Sequence, residues 1–408
     1  MSSPPSARRA PESHVAVPDD GADRGEPRSE PEYDELLQIG EGGMARVLLA
    51  LPRGKRALGD LVVLKRLHAY LREDDDALRR LVVEARIAAS VAHENVVSVR
   101  RVVDDGRERY LVLDYVEGAT LGELVERAIA TKTALPPSVV SRVVCDVLAG
   151  LHAAHEACGE DGKPLAVLHR DVSPHNVLVG VDGTSRLTDF GVAKALAAKG
   201  MQARTGEGVL VGKLMFMAPE YLRAEPHDRR ADVYSAGITA WCAYARRAPF
   251  ASRGESDLVA QILSAGAPAL PHEAGVDASL AAVLARACAL DAAARFATAG
   301  EAGAAFAAAA REGNGLASRA EVGAFVRALF GDDFAARERA LRARIAELRP
   351  PLPPAGSARP SAPAGASRSR AAWSAVAAAI VLALAVTAWS AARRAPAAAP
   401  APSSAAPR

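Results

Sequence analysis

The feature that most narrows what this chain can fold into is a pair of acidic motifs set a short way apart. The first is His169-Arg170-Asp171-Val172-Ser173-Pro174-His175-Asn176; the second is Asp189-Phe190-Gly191. Between them lie two short runs, Val177-Leu178-Val179 and Ser185-Arg186-Leu187-Thr188, that read as strands. Either triplet arises by chance in a long chain; the two at this spacing, with Asn176 closing the first, do not. Asn176 and Asp189 offer hard oxygens of the kind Mg²⁺ takes in octahedral ligation. Asp171 offers a carboxylate able to orient an attacking hydroxyl. Such a set suits phosphoryl transfer, where protein supplies positioning and charge neutralisation rather than covalent chemistry.

A phosphate-handling segment lies upstream. Ile39-Gly40-Glu41-Gly42-Gly43-Met44-Ala45-Arg46-Val47 follows a strand-like run, and its glycines let backbone N–H groups approach phosphate oxygens. A tight hairpin would use the same glycines, and Ala45 stands where a G-x-G-x-x-G pattern has its third. Val62-Val63-Leu64-Lys65 then places a lysine among apolar residues, which is costly unless it is paired or used on an anion. The stretch Asp75 to Val91 reads as a helix with Leu78, Leu81, Val82, Ala85, Ala88 and Ala89 on one face, and it offers Glu84 as the partner of Lys65.

These elements order the chain. Residues 1–32, rich in Pro, Ser and charge, read as a disordered arm. Tyr33 to Asp114 is strand-rich apart from the one helix, and Leu121 to about Ala310 is mostly helical, so a cleft is expected near Asp114–Gly118. Residues 312–349 read as a helical extension with Val322, Phe325, Val326, Leu329 and Phe330 as an apolar stripe. Residues 350–370 form a linker of Pro, Ala, Ser and Gly. Residues 371–392 carry no charge and have Trp373 and Trp389 near their ends, which suits a helix spanning about 30 Å of hydrocarbon. An Ala-rich low-complexity helix is the other reading of that stretch. Residues 393–408 form a short disordered tail. The net charge of +2 carries no nucleic-acid footprint. Cys145, Cys158, Cys242 and Cys288 form no CxxC pair, so neither disulfides nor zinc are expected. No apolar stretch at the N-terminus resembles a signal peptide.

From Tyr33 to Ala310 the chain resembles the protein kinases, in particular the bacterial branch similar to eukaryotic (Hanks-type) serine/threonine kinases. The resemblance rests on Gly40–Val47, Lys65, Glu84, the two acidic motifs, Ala218-Pro219-Glu220, Asp232 in Asp232-Val233-Tyr234-Ser235-Ala236-Gly237, and Arg295. It implies an α+β bilobal kinase fold over 33–311, with a small β-rich N-lobe (33–116) carrying one key helix and a larger α-helical C-lobe (117–311). It implies ATP and Mg²⁺ as cofactors and the hydroxyls of protein serines and threonines as substrates. By it, Ile39 to Val47, Lys65, Glu84 and the backbone of Asp114 and Val116 hold the nucleotide, with Leu113 as gatekeeper. Asp171, Lys65 and Asn176 are catalytic, and Asn176 and Asp189 hold metal. Glu220 pairs with Arg295, and Asp232 supports the catalytic loop from below.

Two departures stand out. Such kinases usually have Lys two residues after the catalytic Asp, where this chain has Ser173. They usually have Thr after the glycine of the G-T-x-x-Y-x-A-P-E segment, where this chain has Gly212-Lys213-Leu214-Met215-Phe216-Met217-Ala218-Pro219-Glu220. Either Lys213 returns the missing ammonium and Ser173 the hydroxyl, or Lys213 is a solvent-facing loop lysine. His175 is a second candidate cation. Between Val192 and Phe216, Thr205 is the hydroxyl residue that a phosphate-based switch would use, with Arg170 to answer it. The expectation is thus a membrane-tethered kinase, catalytic lobes in the cytoplasm on a single-pass inner-membrane span, with a homodimer for phosphorylation in trans. The alternative is a pseudokinase scaffold; Lys65, Asp171, Asn176 and Asp189 are all present.

Overall fold

The computed structural model describes residues 32–42, 45–68, 89–104, 109–159, 161–190 and 213–348. The N-terminal arm, Glu84 and most of its helix, Gly43, Met44, Gly191, Thr205, the linker and the apolar stretch 371–392 lie outside them.

Five antiparallel strands open the fold: β1 (Tyr33–Glu41), β2 (Ala45–Pro52), β3 (Val62–Leu67), β4 (Val99–Asp104) and β5 (Arg109–Asp114), in the order β1-β2-β3-β5-β4. The runs Leu48-Leu49-Ala50-Leu51 and Val62-Val63-Leu64 do not alternate with polar residues, because both faces of this sheet are covered. Leu48, Ala50, Val62 and Leu64 pack with Tyr110 and Val112 on one face. Leu49, Leu51 and Val63 pack with Leu36 and Leu61 on the other. Register pairs Val47 with Lys65 and Leu49 with Val63, so these four side chains share that second face.

The C-lobe is built from helices, with a small sheet at the cleft: β6 (Gly118–Thr120), β7 (Val177–Gly180) and β8 (Ser185–Leu187). Its β7–β8 pair matches the strand pair expected from sequence, whereas β6 is too short to leave a periodic signal. Thr120 ends β6 and opens α1 (Leu121–Ala130) through a reciprocal cap with Glu123. The centre is α2 (Pro137–His155), α3 (Arg230–Ala245) and α6 (Ala299–Glu312), joined by Leu280 and Leu284 of α5 (Ala278–Ala287), while α4 (Glu255–Ala265) buries Leu258 and Ile262 in a separate cluster. Among the described residues α2 is the one helix long and apolar enough to cross a membrane, and it is mostly buried as a core helix.

The expected helical extension is α7 (Arg319–Glu347), opened by a reciprocal cap between Ser318 and Glu321. Val322, Val326 and Phe330 are buried in the C-lobe core, with Phe325 and Leu329 packed at its edge. The helix lies against the β7–β8 turn so closely that a Cβ on Gly323 would stand 2.4 Å from the Val181 carbonyl oxygen. Gly183, in that turn at φ +78°, faces the Arg319 carbonyl in the same way.

Candidate active site

One buried carboxylate organises the loop 169–176. Asp232, near the start of α3 and 1% exposed, accepts hydrogen bonds from the backbone N–H of His169 at 2.7 Å and of Arg170 at 2.8 Å. It also accepts from His155 Nε2 at 2.9 Å. Burial opposes its charge, but the His155 bond and the surrounding donors outweigh this and hold its pKa below the usual carboxylate range. His169 is buried beside it. The Asp171 N–H donates to His169 Nδ1 at 3.3 Å, so the ring proton sits on Nε2, which donates to the Thr188 carbonyl at 3.1 Å. Burial lowers the His169 pKa, which agrees with a neutral ring. That ring packs on Phe190 at 4.6 Å between centroids. His169 therefore ties the first acidic motif to the second.

The reacting groups converge on Asp171. Asn176 Nδ2 donates to the Asp171 carbonyl at 2.8 Å and to Oδ2 at 3.0 Å, which leaves the Asn176 side-chain oxygen outside both bonds. Lys213 Nζ reaches the same Oδ2 at 3.5 Å. Across the cleft, Lys65 Nζ lies 3.0 Å from Asp189 Oδ1. Desolvation resists the Asp189 charge, but Lys65, with smaller contributions from His169 and Lys213, outweighs it and lowers the Asp189 pKa. Arg170 and Asp189 sit at φ 61° and 59°, in the left-handed region. Such backbone costs on the order of 1 kcal/mol per residue, and the contacts just described hold it in place.

Lys213 is not on a loosely held stretch. Leu214 is buried with Phe250, Leu258 and Ile262 beside α4. Phe216 enters the C-lobe core, and its carbonyl accepts from Ser235 Oγ at 2.7 Å. Further along, Arg295 grips Glu220 with two nitrogens at 2.7 and 2.8 Å, the planar fork that a carboxylate matches. Arg295 also donates to the carbonyls of Ala289 and Arg230. The pair expected from sequence thus forms, fully buried, at the base of this segment.

On the nucleotide side, β1 and β2 form the hairpin that carries Ile39 to Val47, closed by the Gly42 N–H donating to the Ala45 carbonyl at 2.9 Å. The Asp114 N–H already donates to Ser98 at 3.0 Å, so what Asp114 could offer an adenine is its carbonyl. Arg170 Nε is buried with no hydrogen-bond partner among the described residues. A cavity of about 720 Å³ is bounded by the hinge at Asp114 and Tyr115, by Val96 and Arg100, and by Asp182 and Arg186. It contains none of the groups around Asp171. The site is therefore marked by convergent charge rather than by that concavity. Sequence reading missed His155 and gave Ser235, quoted within its motif, no role. Each sits in a helical run whose pattern says only that the position is buried.

Comparison with known proteins matches this architecture. A family model described as "Protein kinase domain" covers residues 33–303. The tyrosine-protein kinase MasK of Myxococcus xanthus is 33% identical over 304 residues, which is 74% of this chain and 46% of that protein. The serine/threonine-protein kinase PknL of Mycobacterium tuberculosis is 35% identical over 237 residues, 58% of this chain and 55% of that protein. The chain spans about half the length of these curated relatives. Among solved structures, the PknI kinase domain of Mycobacterium tuberculosis matches with a TM-score of 0.50 at 26% identity, covering 68% of this chain and 96% of that one.

Proposed function

The chain belongs to the protein kinase domain family, and on that premise we propose that it transfers the γ-phosphate of ATP to side-chain hydroxyls of proteins, serine and threonine foremost. The observation that carries this reading is the convergence of Lys213 and Asn176 on Asp171, with the Lys65–Asp189 pair across the cleft. Asp171, pinned by the Asn176 amide, orients the attacking hydroxyl and receives its proton. Lys65 holds phosphate oxygens from the N-lobe side. The side-chain oxygens of Asn176 and Asp189 would hold Mg²⁺. Among the described residues no cluster of three or more His, Cys, Asp or Glu competes for a metal. Two hard oxygens fit an ion that keeps waters and takes its other ligands from phosphates. When bound, the ion neutralises charge on the phosphates.

The missing cation belongs to the same reading. Lys213, held by its buried neighbours within reach of Asp171, stands in for the lysine that the family carries where this chain has Ser173. It acts as a compact charge on a flexible stem. Thr205 and Arg170, whose Nε is buried without a hydrogen-bond partner among the described residues, supply a phosphate switch. The uncharged stretch 371–392 tethers the catalytic lobes to the inner face of a membrane, where two copies could phosphorylate each other.

The test is an ATP·Mg²⁺ assay of the full chain against generic Ser/Thr and Tyr peptides, with Asp171→Asn as control. Transfer to Ser/Thr peptides that the control abolishes is expected; transfer to tyrosine alone would shift the substrate class toward the one named for MasK. Peptide mapping of the incubated chain should place phosphate on Thr205, and modification confined to the N-terminal serines would rule that switch out.

A further inference from the structure

Helix α7 is longer than its seat on the C-lobe. Val322, Val326, Phe330 and Phe334 bury its first half in the C-lobe core. That half is also held by Asp333, 2.8 Å from Arg127 on α1, and by Arg319, paired with Glu94 at 2.5 Å. The helix then runs through mostly exposed residues and buries itself a second time. Leu341 is 4% exposed, in one cluster with Leu36, Leu49, Leu51, Leu61 and Val63 of the N-lobe sheet. Ile345 and Leu348 pack against the same cluster, as do Leu113 and Tyr115 at the hinge. From Phe330 to Leu341 a helix advances about 16 Å. One continuous rod is thus anchored in both lobes.

The place of the second anchor matters more than its area. Val47, Leu49, Val63 and Lys65 share one sheet face, and Leu341 lies against that face at its hinge end. The other end carries Lys65, 3.0 Å from Asp189 of the C-lobe. A sheet tilted at the Leu341 end moves Lys65 relative to Asp189.

We infer that the last turns of α7 are a prop between the lobes: Leu341, with Ile345 and Leu348, positions the Lys65 face over Asp189 and so sets the opening of the nucleotide cleft. This rests on the kinase reading above. Leu341 touches no reacting atom; it acts through the sheet.

Steady-state kinetics of the full chain with ATP and a peptide substrate test the prop. Leu341→Asp places a charge in the apolar cluster. It should raise the KM for ATP about tenfold and lower kcat, and Leu341→Met should restore both. Ala340→Asp, one residue away and exposed, should leave both unchanged. If Leu341→Asp does not fold, Leu341→Ala reports the same KM increase at smaller size. The prop is overturned if the folded Leu341 variants keep KM and kcat within twofold of the parent, or if Ala340→Asp does equal damage. A parent chain without ATP turnover would instead remove the kinase reading itself, and ATP binding measured by calorimetry on the same variants still reads the cleft in that case.

Discussion

Two charged side chains address the catalytic loop from opposite ends of the burial scale. Asp232 is almost wholly enclosed and receives three hydrogen bonds between 2.7 and 2.9 Å. Lys213 is 56% exposed and makes one long contact of 3.5 Å to Asp171. The anion is part of the fold, and the loop could not take its left-handed turn at Arg170 without it. The cation has a fixed backbone and a largely exposed head. On the reading proposed above, Lys213 meets a phosphate only at transfer, and such a charge is better left hydrated and mobile, since burying it would bring a desolvation cost. The structural charge and the proposed working charge are thus separated by accessibility around one loop.

The largest expected effect falls on Asp171, which Lys213 contacts and whose loop Asp232 holds. Asp171→Asn removes the carboxylate and should lower kcat by about 10²–10⁴-fold in the peptide assay, with thermal stability little changed. Removing the structural charge comes next. Asp232→Ala leaves His155 and two backbone N–H groups buried without an acceptor, and should cost about 3 kcal/mol in urea unfolding at neutral pH. Its pH dependence has a definite sign. The Asp232 pKa is lowered on folding, so its contribution is complete above the ordinary carboxylate value of about 4 and is lost as pH falls through the lower folded value. The variant should therefore show a flatter acid-unfolding profile than the parent. Removing the working charge should do the reverse. Lys213→Met is expected to lower kcat about tenfold while leaving the unfolding midpoint in place. If kcat stays at the parent value, Lys213 is a surface lysine and the comparison collapses. The smallest effect sets the baseline for exposed charge. Arg342→Ala breaks an i,i+4 pair with Glu338, both well exposed, and should shift stability by no more than about 0.5 kcal/mol in the same urea titration.

Much of the site was legible because its chemistry uses residue types that are costly anywhere else. A lysine on an apolar strand and two acidic triplets at a set spacing identify Lys65, Asp171, Asn176 and Asp189 before any coordinates. The Glu220–Arg295 pair was legible only through resemblance, since the two are far apart in sequence. The supports were not legible. His155 reads as the end of an apolar helix, and nothing in the order of residues says that it donates to Asp232. In the fold, the helical stripe Val322 to Phe330 announced a packed extension. Leu341, Ile345 and Leu348 did not, because Leu341 lies inside, and the other two just after, a charged stretch (Arg337 to Arg344) that reads as solvated from end to end. Their burial depends on a sheet face from the opposite end of the chain.

The two glycines at the contact between α7 and the β7–β8 turn bear on where this protein can be cut. The family match ends at residue 303, inside α6. A fragment trimmed there would lose the helix that Gly183 and Gly323 let lie backbone to backbone against the turn. It would leave the C-lobe surface under Val326 and Phe330 bare and greasy. The natural stopping point for a recombinant catalytic fragment is just past α7, after its capping residue Leu348.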